Sequence, residues 1–128
     1  MLRVYLSYGG NDGPDAALRA AGEMAALGYN PFVPMPFHRR TPPELRERCC
    51  SDNGRRCSLE WLERCDAILL LPGWSQCEEG LEEMEHAEDS GLPIFTSLET
   101  LMRRFPSDVC HSDYGLSEII VDAQLICD

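Results

Sequence analysis

A chain of 128 residues with 44% hydrophobic and 26% charged residues is sized and composed for one globular domain, which excludes both a disordered chain and a two-domain protein of ordinary size. Its formal net charge of −11, from 22 acidic and 11 basic residues, repels phosphate backbones and anionic lipid, so nucleic acid and membrane surfaces are set aside as partners. A small anionic ligand stays open, because backbone amides at a helix N-terminus hold one locally.

No long apolar segment follows Met1, and no stretch reaches the ~18 apolar residues of a membrane helix, so a cytoplasmic protein is expected. The seven cysteines stand at positions 49, 50, 57, 65, 77, 110 and 127. Their odd number argues against a disulfide framework, and the first four lack the paired spacing of zinc ribbons. Reduced, mostly buried thiols are expected, with no metal and no cofactor.

In chain order, residues 2–7 are apolar and alternating and stop at Gly9-Gly10, which predicts a strand running into a loop. Pro14-Asp15 opens a helix whose apolar face is predicted at Ala17, Leu18, Ala21, Met24, Ala25 and Leu27, with Gly28 ending it. Residues 29–33 make a second short strand. Residues 34–57 are the least regular, with a helix expected from Glu44 into the Cys49-Cys50 pair and a turn at Asp52-Asn53-Gly54. Ser58 is read as the N-cap of a helix over 59–64 that turns Leu59 and Leu62 inward.

The continuous apolar run over 66–71 fits a central parallel strand buried on both faces. An acidic helix follows over 78–90, with Leu81, Met84 and Ala87 on its inner face, Glu83 beside them and Gly91 at its end. Residues 92–95 begin a fourth strand, and Thr96 or Ser97 caps a short helix over 98–105. The segment 118–126 is read as either a strand or a helix. The alternation of strands and helices demands a three-layer αβα domain around a four- or five-stranded parallel sheet, flavodoxin-like or Rossmann-like.

Such sheets bind ligands beyond the carboxyl ends of their strands. Three loops gather there: Ser7 to Gly10, Pro34 to Arg40, and Pro72 to Glu79. Most of the helix carboxylates read as a solvated face placed favourably on the helix dipole. Glu83 differs, since it lies on the packed side, where an acid is costly unless it is satisfied or used. Trp74 either stacks on a ligand ring or packs over the helix start. His38, with Arg39 and Arg40, is either a surface loop or an anion contact. His86 reads as a surface residue.

The string Cys65-Asp66-Ala67-Ile68-Leu69-Leu70-Leu71-Pro72-Gly73-Trp74, then Glu83-Met84-Glu85-His86-Ala87, then Gly91-Leu92-Pro93-Ile94-Phe95, resembles the nucleoside 2-deoxyribosyltransferase superfamily, above all its small bacterial and phage members. Val4-Tyr5-Leu6-Ser7-Tyr8-Gly9-Gly10 is similar to that superfamily's first strand, and the likeness spans roughly residues 2–100. It implies a domain over 1–105 with an extension over 106–128. It also implies a transferase or hydrolase acting on the N-glycosidic bond of a (deoxy)nucleoside or nucleotide. Glu83 would be the nucleophile that forms a covalent deoxyribosyl-enzyme, a carboxylate being suited to an oxocarbenium-like transition state and to leaving afterwards. Tyr5 would orient it, which predicts a hydrogen bond between the two.

The implied substrate contacts are Ser7, Gly9, Gly73, Trp74, Cys77, Glu79, Ser58 and His38. This chain departs from the pattern at three of them: Cys77 replaces a Ser or Asp, Glu79 a Gly, and Ser58 a base-recognising Asp. Those departures leave two other readings open, a non-catalytic nucleotide-derivative binding or sensing module and an interaction protein with no small-molecule site. The likeness also implies a homodimer or homotetramer. Phe37, Trp61 and the 98–105 helix are its candidate contact surfaces, unless the tail over 106–128 covers them and leaves a monomer.

Overall fold

The computed structural model describes residues 1–9, 13–34, 42–45 and 52–107. The elements are β1 (Arg3–Ser7), α1 (Gly13–Ala26), β2 (Asn30–Phe32), α2 (Asp52–Glu63), β3 (Ala67–Leu70), α3 (Glu78–Asp89), β4 (Ile94–Phe95) and α4 (Leu98–Arg104). All four strands are parallel and lie in the order β2-β1-β3-β4. Tyr5 pairs with Phe32 on one side and with Ile68 on the other, and Ser7 pairs with Leu70.

Strand alternation divides the core into two layers, because successive side chains point to opposite faces. Val4, Leu6, Ala67, Leu69 and Leu71 pack on one face with Ala17, Ala20, Met24 and Leu27 of the α1 region and with Leu98 and Leu101 of α4. Tyr5, Ile68 and Leu70 point the other way, onto Leu62 of α2, Cys65 just after it and Ala87 of α3. Helices thus cover both faces of a parallel sheet, as the element order demands. β1 and β3 are buried on both sides, which explains why residues 67–71 carry no polar alternation.

Several elements differ from their sequence-based reading. α2 begins at Asp52, so Asp52-Asn53-Gly54 forms its first turn rather than a free turn, and Ser58 lies inside the helix rather than capping it. On α1 the inward face is Ala17, Ala20 and Met24, while Leu18 is 62% exposed and Ala25 is also exposed. The helix is so rich in alanine that several faces are nearly equally apolar, and contact with the sheet selects among them. On α3 the inner face is Gly80, Glu83 and Ala87, and Leu81 is 45% exposed. Positions 80, 83 and 87 share one side of a helix, and residue 81 is turned away from it. Ser97 caps α4, accepting from the Thr100 N–H at 3.2 Å.

Cys57 is exposed, Cys65 buried and Cys77 half-buried, all as free thiols; positions 49, 50, 110 and 127 lie outside the described residues, as do Phe37 and 118–126. Among the described residues no helix is long and apolar enough to cross a membrane.

Candidate functional site

The site begins with two residues of one strand. Tyr5 and Ser7 are two positions apart on β1 and therefore share a face. That face meets the inner side of α3, and the side chain that arrives there is Glu83. A single glycine brings the helix close enough. A Cβ placed on Gly80 would stand 1.8 Å from the Trp74 carbonyl oxygen, so only glycine lets the first turn of α3 lie against the 3-10 turn Trp74–Gln76 that precedes it.

Glu83 is held at both carboxylate oxygens. The Tyr5 phenol donates to Oε2, and the Ser7 hydroxyl donates to Oε1 at 3.1 Å. The hydrogen bond expected between Tyr5 and Glu83 is thus present. Ser7 is 0% exposed and Glu83 6%, so the hydroxyl is wholly enclosed and the acid nearly so. The Tyr5 ring packs on Phe32 with centroids 5.5 Å apart, and Phe32 stacks on Trp61 at 5.1 Å and 21°. This aromatic row fixes the ring plane and hence the direction of the phenol.

Burial disfavours the charged carboxylate and pushes Glu83 up to about 7; the hydrogen bonds from Tyr5 and Ser7 oppose that rise, and the nearby charges of Glu79 and Glu82 add to it. The Tyr5 phenol is driven well above its ordinary value, first by burial and then by the Glu83 charge, while Ser58 on α2 pulls the other way. The phenol therefore stays protonated and remains a donor. Glu83 itself changes protonation near neutrality. A carboxyl group of this kind has the chemistry of a nucleophile or base when ionised and of an acid when protonated.

Around this cluster the chain closes on itself by backbone. Gly73 has φ +91, and a Cβ on Gly9 would stand 2.2 Å from the Gly73 carbonyl oxygen, so the loops after β1 and β3 touch without side chains between them. Cys77 is the N-cap of α3: its Sγ accepts from the Gly80 N–H at 3.4 Å and lies 3.8 Å from the Tyr8 carbonyl oxygen. The structure thus gives this thiol to the helix. Replacing Cys77 by Ala should cost roughly 0.5–1 kcal/mol in urea unfolding, whereas Ser, with a better acceptor, should match or exceed the wild type. An Ala variant as stable as the wild type would remove Cys77 from this role.

The remaining sequence-predicted residues divide. Ser58 joins the Tyr5 side of the cluster. Trp74 is half-buried and packs in the same core layer as Tyr5 and Leu62. Glu79 is exposed on the first turn of α3. His38 lies outside the described residues, and His86 meets Glu63 at 2.9 Å. Two residues matter more than the sequence indicated. Arg55 of α2 donates to Glu82 Oε1 at 2.9 Å and to Glu78 Oε2 at 3.0 Å, tying α2 to the start of α3 across 27 and 23 positions. Gly80 stands one position after the turn glycine that Glu79 replaces, and its missing side chain sets the distance between α3 and the preceding turn. Among the described residues no three His, Cys, Asp or Glu side chains gather as metal ligands. No family model, curated protein or solved structure matches the chain.

Proposed function

We propose that this protein cleaves or transfers the N-glycosidic bond of a (deoxy)nucleoside or nucleotide, with Glu83 as nucleophile and Tyr5 as the group that orients it. One observation carries the reading: a carboxyl group 6% exposed, held by two hydroxyls and, among the described residues, paired with no cation. An acid in that position weakens the fold at neutral pH, and chemistry is the ordinary reason for keeping one.

In the proposed reaction a Glu83 carboxylate oxygen bonds to the anomeric carbon as the carbon–nitrogen bond breaks. The bonding pair leaves with the base, which takes a proton from solvent. Water, or a second base, then attacks the anomeric carbon of the ester and returns the Glu83 carboxylate. Tyr5 holds Oε2 throughout, so the carboxylate does not rotate out of line.

A non-catalytic binding module on the same fold is the second reading. It is favoured by the turn that opens α3, where Cys77 and Glu79 depart from the pattern of the catalytic relatives and the Cys77 sulfur caps the helix through the Gly80 N–H. Incubation with a panel of 2′-deoxynucleosides and their 5′-monophosphates, followed by chromatography of the free base, separates the two. Base release is expected. A thermal shift with a panel member but no release would leave the binding module.

A further inference from the structure

We infer that Ser7 is a positioning residue for Glu83, fixing the second carboxylate oxygen so that the acid is held from both sides by one strand and kept ionisable. The inference rests on the proposed role of Glu83 and deepens it, because the family resemblance assigns orientation to Tyr5 alone and reads Ser7 as a substrate contact.

The structure takes Ser7 away from any substrate. Its side chain is 0% exposed, at the carboxyl end of β1. A hydroxyl enclosed in this way is costly without a partner, and its side-chain partner is Glu83 Oε1 at 3.1 Å. Tyr5, on the same face of the strand, takes Oε2. The two bonds act on different oxygens, so neither replaces the other. Together they set the rotation of the carboxylate about its last bond.

The charged and titratable groups around Glu83 make the second bond matter. Tyr5 faces it from β1. Glu79 and Glu82 bear on it from α3, both unfavourable to its charge, and Arg55 of α2 is engaged by Glu82 and Glu78. Tyr8 and Ser58 act on Tyr5 rather than directly on the acid. Two hydroxyl donors are therefore what favours the ionised form among the described residues, and loss of one shifts Glu83 toward its protonated, non-nucleophilic form.

The test follows the carboxyl carbon of Glu83 by NMR in protein labelled at its glutamate carboxyls, with the resonance assigned by its loss in Glu83→Gln. In Ser7→Ala the midpoint should rise by about one pH unit. Turnover at pH 7 should then fall about fivefold with KM unchanged, and the deficit should vanish near pH ~9, where both proteins are ionised. Ser7→Cys, nearly the same size with a weaker donor, should fall between the two. A purely packing role for Ser7 would lower activity at every pH and leave the midpoint in place. An unchanged midpoint in Ser7→Ala overturns the inference, even if wild-type turnover upholds Glu83 as nucleophile. A raised midpoint in a protein that turns over no nucleoside upholds it as a statement about Glu83, and the proposed reaction alone falls.

Discussion

Glu83→Gln is expected to lose turnover by roughly several orders of magnitude while remaining folded, because a neutral amide does not attack the anomeric carbon. The amide fits the site. Its oxygen accepts from Tyr5, and its NH2 donates to the Ser7 oxygen, so both buried hydroxyls stay satisfied. The same substitution should change stability in a defined direction. Glu83 titrates near 7 in the folded protein, against an ordinary value of 4.5, so the fold favours the protonated form. Below pH 4.5 both states hold the proton and Glu83 costs nothing. As pH rises from there through 7, the unfolded chain releases its proton first, and the wild type loses stability until the folded group has ionised too. Glu83→Gln lacks that loss. In paired urea titrations the variant should therefore gain on the wild type across this interval and level off about 3 kcal/mol ahead. A stability difference that ignores pH would mean that Glu83 is not the enclosed acid described here.

Gly80→Ala should be among the most damaging small substitutions in the described fold. Its Cβ would stand 1.8 Å from the Trp74 carbonyl oxygen and 2.8 Å from the Trp74 carbonyl carbon, both main-chain atoms in the turn that leads into α3. No rotamer change relieves such contacts. The start of α3 has to move away, and Glu83, one turn further along, moves with it, away from Tyr5 and Ser7. Overpacking against fixed atoms costs at least ~3 kcal/mol here, which for a chain of this size lowers Tm by roughly 10 °C or more. Turnover should fall even where the variant is still folded. Gly22→Ala is the matched control. Gly22 sits within α1 with nothing within 4 Å of an added Cβ, so alanine should stabilise by roughly 0.5–1 kcal/mol. Equal effects at the two positions would show that glycine matters in these helices only through flexibility.

The layered fold was legible in the sequence because its signals were strong and local. The apolar run over 67–71, short and bounded by Pro72-Gly73, is that of a strand buried on both faces, and Ser97 caps a helix by a rule that needs only three neighbouring positions. The elements that misled did so for physical reasons. Ser58 has the chemistry of an N-cap, but α2 already begins at Asp52, and its early turns are tied to α3 through Arg55, against the modest local cost of Gly54. Leu81 is more apolar than Glu83, yet Glu83 faces inward, since the inner side of α3 is set by Gly80, which fits close to the Trp74 turn, and by Ala87, which packs in the layer of Tyr5 and Ile68.

The candidate site was legible to a similar degree. Tyr5 and Glu83 were paired by resemblance, and the helix position of Glu83 already marked it as an acid out of place. Ser7 was read as a contact for substrate, because a sequence shows that a hydroxyl is near a site without showing that it is enclosed. Cys77 was read likewise, yet its sulfur closes the helix end. Arg55 was invisible, since its partners lie 23 and 27 positions away and nothing in the chain between them encodes the contact.

The proposal that Glu83 is a nucleophile is tested most directly by trapping the ester. Protein mixed with a deoxynucleoside that it cleaves is quenched in acid within the turnover time, digested, and its peptides weighed. A deoxyribosyl increment should appear on the peptide carrying Glu83, should fragment to that residue, and should be absent from Glu83→Gln. Release of free base with Glu83 unmodified at every quench time, and undiminished in Glu83→Gln, would contradict it.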